Sequence, residues 1–279
     1  MSIKNILVQV GSSDGSAATV KGAAAVARKF NARLNGFFVM PDVAVVAAAP
    51  GGAMMDARLV EDLQKDAEKQ SVAAEAIFRD AAGSLAETGS WSRVDAMGIG
   101  SRAAAAKVTR YADLVVAGPI GDREENHSVV HAQDLVLDSG RPLLLFPGDG
   151  VFAVEARNVV VAWSDSREAA RAVFDSLPFL AAAGTVAVVT VVKEGGEDSA
   201  PGRRIAGVLE DHGIAASVAT VARKDGQSTS GALFDYARQC GADLLVAGAY
   251  SHSRLREGLF GGVTKSIFET APLPVLLSH

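Results

Sequence analysis

The stretch AGAYSHSRLREGLFGGVTKS, residues 247–266, concentrates the side chains and backbone types best suited to holding an anion. Gly248 closes an apolar run, Arg254 stands in a basic loop, and Gly261 and Gly262 precede the helical pattern VTKSIFET. Glycines let a backbone close around phosphate oxygens with no side chain in the way. The free N–H groups of a helix start carry the positive end of its dipole, which suits a phosphate. A plain strand exit followed by a turn would use the same glycines, so the spacing needs support from its surroundings.

Other candidate chemistry is weaker. GIGSRAA (98–104) matches a dinucleotide fingerprint at Gly98, Gly100 and Ala103, but the next strand ends in Gly118 and Pro119 and offers no acid to a ribose. GGVTKS ends like a P-loop, yet Thr264 stands where the glycine before Lys265 is required. His127 and His131 have the i, i+4 spacing of metal ligands, with Glu124, Glu125 and Asp134 close in sequence. No third ligand is defined, and a solvated helix start accounts for the pair. Cys240 is the single cysteine and has no partner for a disulfide or zinc site. The chain shows no GxSxG elbow, no HExxH and no cysteine next to a histidine, so no catalytic set is expected.

The elements that must position the glycines come in two copies. KNILVQVGSS (4–13) aligns with RNVVVAWSDS (157–166), placing Asn5 on Asn158 at an offset of 153. ADLVVAGPIG (112–121) aligns with ADLLVAGAYS (242–251), placing Gly118 on Gly248 at an offset of 130. The offset falls by 23, so the first copy carries about that many extra residues, assigned to VAVVAAAPGGAMMDARLVEDLQKDAEKQ after its second strand. Of that insert, residues 43–56 are expected to be mobile or to shield an apolar surface.

Short β-branched runs alternate with alanine-rich helical patterns throughout. Strands are predicted near 5–10, 34–39, 92–97, 113–117 and 142–146, then near 158–163, 185–192, 215–221, 243–247 and 274–277. Helices are predicted near 16–29, 57–86, 102–111 and 128–138, and over VTKSIFET. Strand, helix, strand, repeated, means an α/β fold with a parallel sheet covered on both faces, and the nearly continuous apolar DLLVAG and NVVVAW fit strands buried on both sides. The expected domains are residues 1–148 and 155–279, joined by GDGVFAVEA. Each final segment, RPLLLFPG or LPVLLSH, is an apolar edge, which predicts an intramolecular pseudo-dimer about a pseudo-twofold axis. Pairing of two chains into a homodimer is a further option.

Composition narrows the function classes. A formal charge of −5 lacks the basic footprint of a nucleic-acid binder. The longest apolar run, FLAAAGTVAVVTVV, is too short for a membrane helix, and MSIKNILVQV does not read as a signal peptide. The expectation is a cytoplasmic protein without membrane or nucleic-acid partners.

The duplicated α/β plan, the apolar strand ending in Gly248, the HSRLREGLFGGVTKSI loop and helix, and the closing APLPVLL together resemble the universal stress protein family in its tandem form. The resemblance covers essentially the whole chain. It implies two Rossmann-like domains of the adenine nucleotide alpha hydrolase-like type, each with a five-stranded parallel sheet. It also implies an adenine nucleotide, ATP with Mg²⁺, as ligand of the second copy. In the ATP-binding branch the loop reads glycine, two residues, glycine, nine residues, glycine, then serine or threonine. This chain offers Gly248, Ser251, Gly261 and Gly262, followed by Val263 and Thr264, so two of the four motif positions differ.

By the same resemblance, Gly248, Ser251, Gly261, Gly262, Val263 and Thr264 surround the phosphates, with Arg254 or Lys265 adding charge. Ser164 falls where relatives carry an aspartate for the nucleoside, and Asp165 is one residue too late to replace it. The backbone of Val191 takes the place that holds the adenine edge. In the first copy Gly118 and Gly121 fit, but His131 and Ala132 follow where glycine and a hydroxyl are needed, and DREENHSVV is acidic. The first copy therefore reads as a degenerate partner. Two alternatives stand beside this reading: a protein-interaction or regulatory module without nucleotide, and a slow nucleotide hydrolase.

Overall fold

The computed structural model describes residues 2–41, 57–96, 98–118, 130–148, 152, 154–193, 200–250 and 262–279. The chain divides into two compact units. One comprises Ile3–Arg141 and Gly148–Val151, the other Met1–Ser2, Pro142–Pro147 and Phe152–His279.

In the first unit the strands are β1 (Asn5–Gln9), β2 (Arg33–Val39), β3 (Trp91–Val94) and β4 (Leu114–Ala117). They lie side by side in the order β3-β2-β1-β4, all parallel. The helices among the described residues are α1 (Asp14–Phe30), α2 (Ala57–Ala82), α3 (Leu85–Thr88), α4 (Ser101–Thr109) and α5 (Ala132–Asp138). α1 stops because Asn31 turns left-handed and its N–H caps the carbonyls of Ala27 and Arg28.

The second unit holds β5 (Leu143–Leu145), β6 (Asn158–Ala162), β7 (Thr185–Val192), β8 (Ser217–Ala222), β9 (Leu244–Gly248) and β10 (Val275–Ser278). Their order is β5-β10-β9-β6-β7-β8. All are parallel except β5, which runs antiparallel to β10 with Leu144 opposite Leu276. Its helices are α6 (Arg167–Ala181), α7 (Ala200–Asp211), α8 (Thr229–Gln239) and α9 (Gly262–Thr270).

Among the described residues ten strands stand within a few residues of the sequence expectation, but β5, expected as the fifth parallel strand of the first copy, groups with the second unit and pairs antiparallel with β10. The apolar runs bury both faces of their strands: every residue of β4, β5 and β10 is buried. Part of the first copy's extra length is visible in α2, which has 26 residues against 12 in α7. The rest, residues 43–56, falls outside the described residues.

The duplication shows in repeated hydrogen bonds as well as in strand order. Asp113, just before β4, accepts from the N–H groups of Lys4 and Asn5 at 2.8 and 3.0 Å. Asp243, just before β9, accepts from Arg157 and Asn158 at 2.9 and 3.1 Å. The side-chain amides of Asn5 and Asn158 reply by donating to the carbonyls of Tyr111 and Gly241. The matched Asn and Asp residues therefore lock the starts of the two central strands in register.

Candidate functional site

β6 is the pivot of the second unit. From it the chain steps outward to β7 and β8, then returns to place β9 on β6's other flank. The order reverses between β6 and β9, and a crevice for ligands opens beyond the carboxyl ends of such strands. Four elements deliver expected site residues to that edge. Ser164 follows β6 and is exposed, Val191 is half-buried near the end of β7, Gly248 is the last residue of β9, and Gly262, Val263 and Thr264 form the first turn of α9. Ser251, Arg254 and Gly261 lie outside the described residues.

Each of these positions has a local physical role. Ser166 caps α6 by accepting from Ala169 N–H at 3.2 Å, and Ser164 Oγ lies 3.3 Å from Ser166 Oγ. Between them Asp165 takes a left-handed φ of 48° and is exposed, so it turns the chain and does not stand in for Ser164. Gly248 meets the first turn of α6: a Cβ there would lie 2.5 Å from Ala169 N and 2.6 Å from Glu168 C. Its lack of a side chain is what lets strand and helix approach. Gly262 opens an exposed helix start, where an added Cβ would meet nothing within 4 Å. A helix start leaves its first N–H groups without partners inside the helix, as an anion site requires.

Thr264 is placed differently from a phosphate ligand. It is buried, and its hydroxyl accepts from Tyr250 N–H at 3.0 Å. The hydroxyl that follows the glycines therefore ties α9 to the end of β9.

Trp163, between β6 and Ser164, is buried with its Nε1 unpartnered. Ala162 pairs with Val189, so the next residue along, Trp163, stands opposite Thr190, whose buried Oγ1 is also unpartnered. Paired residues of parallel strands point to one face, so the two unpartnered groups lie on the same side of the sheet near the carboxyl ends of β6 and β7.

Sequence reasoning missed Glu168 and His279. Glu168 is the one buried charged side chain among the described residues, and it pairs with the exposed Arg167. Burial pushes its carboxyl up, but the Arg167 hydrogen bond, its own backbone N–H and the charges of Arg167 and His279 outweigh that and hold it below the ordinary glutamate range. His279 reaches the carbonyl of Ala249 at 3.1 Å. No local pattern marks either residue: His279 reaches across from the end of β10 to Ala249, and although Arg167 adjoins Glu168 in sequence, only the packing of α6 buries that carboxylate.

At the corresponding edge of the first unit, the described residues make contacts within the unit itself. Gln9, buried at the end of β1, donates to the carbonyl of Val130 at 2.8 Å. Gly118 is so close to α1 that a Cβ would run into Thr19 Oγ1. His131 caps α5, its N–H held by Asp134 at 3.0 Å, and so serves a helix start. His127 and Gly121 lie outside the described residues.

A model of the universal stress protein family matches residues 155–279. The sequence matches no curated protein. Among solved structures, a universal stress protein from Archaeoglobus fulgidus superposes with a TM-score of 0.68 at 16% identity, covering 99% of this chain and 98% of its own. A functionally unknown protein from Pseudomonas aeruginosa gives 0.54 at 12% identity, with 99% and 92% covered. A second protein from that organism, provisionally assigned to the universal stress proteins, gives 0.56 at 12%, with 99% and 93% covered. At these identities the likeness speaks for the fold, and it extends over the full length of the chain. Among the described residues, no helix is long and apolar enough to cross a membrane.

Proposed function

We propose that this chain, whose residues 155–279 match the universal stress protein family model, is a nucleotide-responsive stress module whose second unit binds an adenine nucleotide, ATP with Mg²⁺. The reading rests above all on one observation: Ser164, Val191, Gly248 and the exposed start of α9 come together at the point where the strand order of the second unit reverses. The N-terminal N–H groups of α9 suit the phosphates, the backbone of Val191 suits a base edge, and Ser164 offers a hydroxyl to the ribose. Mg²⁺ would accompany the triphosphate and neutralise part of its charge. We read the first unit as a degenerate partner, a reading that the Gln9–Val130 hydrogen bond at its equivalent edge supports. The setting is a cytoplasmic one.

No hydrolytic step is assigned. Glu168, the buried acid beside Gly248, is engaged by Arg167. A second reading, a regulatory interaction module without nucleotide, draws on the engagement of the Thr264 hydroxyl by Tyr250. Calorimetric titration with Mg-ATP separates the two. One site per chain is expected, lost in Gly262→Val, where the exposed helix start accepts a side chain without a clash. Absence of binding heat for the wild type at millimolar nucleotide would leave the interaction module standing.

A further inference from the structure

The peptide group between Ala249 and Tyr250, just past the end of β9, is gripped at both of its polar atoms. Its carbonyl oxygen lies 3.1 Å from Nδ1 of His279. Its N–H donates to Thr264 Oγ1 at 3.0 Å. A carbonyl oxygen only accepts, so Nδ1 of His279 must carry the proton in this contact. One peptide plane is therefore held from β10's extension on one side and from α9 on the other.

Tyr250 is the reason such a grip matters. It has φ of 59°, the left-handed region that a residue with a side chain occupies only when its surroundings compel it. Its ring is buried and stands edge-on to His279, with centroids 6.2 Å apart. Ala249, fully buried, also donates its N–H to Ser278 at 2.8 Å, so the residue before the turn is tied to β10 as well. The buried Glu168 carboxylate, whose ionised form His279 favours, adds an electrostatic reason for the imidazole to stay in place.

We infer that His279 and Thr264 form a clamp on the Ala249–Tyr250 peptide, that the clamp holds Tyr250 in its left-handed turn, and that His279 is thereby a positioning residue for the ligand edge of the second unit. The chain leaves β9 through this turn, and Thr264 lies in the first turn of α9. The clamp thus sets the separation between Gly248 and the first turn of α9, the two elements that an anion would have to touch together. Only this last consequence rests on the nucleotide reading.

The test uses the full chain. His279→Phe keeps a ring against Tyr250 and removes the donor, His279→Asn returns an N–H near the place of Nδ1, and Tyr250→Gly removes the backbone strain. Amide hydrogen exchange at Tyr250 and Mg-ATP affinity are read for each. His279→Phe should speed Tyr250 exchange about tenfold, the worth of one such hydrogen bond, and weaken Mg-ATP by a similar factor. His279→Asn should restore both. In the Tyr250→Gly background, adding His279→Phe should change affinity by less than about twofold, because glycine needs no clamp to stay left-handed. Tyr250 exchange unchanged in His279→Phe, or unrestored in His279→Asn, overturns the clamp. If the wild type binds no Mg-ATP, the nucleotide reading falls, while the exchange comparison still decides the clamp.

Discussion

Gly248→Ala separates what a glycine does for a fold from what it does for a ligand. An ordinary Cβ contact is 3.4–4 Å, and here the added methyl would sit 2.5 Å from Ala169 N, 2.6 Å from Glu168 C and 2.9 Å from Glu168 Cβ. Two of the three are backbone atoms of α6, so no side-chain rotation relieves the clash. The first turn of the helix must retreat by roughly 0.9 Å, which in a close-packed unit costs about 1–3 kcal/mol. Ala169 N–H is also the group that Ser166 caps, at 3.2 Å. Disturbing that cap adds about 1 kcal/mol, for a total of about 2–4 kcal/mol. Gly262→Ala provides the counterpart: its Cβ meets nothing within 4 Å and the residue opens a helix. Alanine there should leave stability unchanged or raise it by up to about 1 kcal/mol. Urea unfolding of both variants, followed by far-UV circular dichroism, measures the difference. Equal stability for Gly248→Ala and wild type would refute the close-approach argument and return Gly248 to a purely ligand-facing role.

Two further outcomes follow from the same edge. Trp163, buried near the carboxyl end of β6, should change its emission on Mg-ATP addition, whereas Trp91 of β3 should stay silent; a titration in Trp91→Phe that loses the signal would contradict this. Glu168 has a folded-state carboxyl held below its ordinary range, so its contribution is present above the unfolded value and lost as pH falls through the folded one. Glu168→Gln should therefore cost about 1–2 kcal/mol near neutral pH, with the gap to wild type closing in acid, and a gap that stays constant on acidification would count against the ion pair.

Much of the architecture was legible in the residues. Valine-rich runs such as NVVVA and TVAVVTVV read as strands, and the offsets between copies located the same strand, helix and turn twice. The matched Asn5 and Asn158, Asp113 and Asp243, were visible as letters, and the structure shows them making the same hydrogen bonds. The β5 run was recognisable as a strand, but not its antiparallel seat on β10, since an apolar triplet such as LLL carries no mark of partner or direction.

The candidate site divides along the same line. That a glycine should end β9 and that helix α9 should start close to the glycine pair follows from turn chemistry and periodicity, which are properties of neighbouring residues. That Gly248 is pressed against α6, that Thr264 is spent on Tyr250, and that His279 holds Ala249 depends on which strands lie side by side. Strand order and register bring together groups separated by many residues, and no local pattern encodes those meetings. A hydroxyl that looks like a phosphate ligand in the chain thus becomes a buried acceptor once β9 and α9 are packed, because a buried backbone N–H must find a partner and Thr264 supplies it.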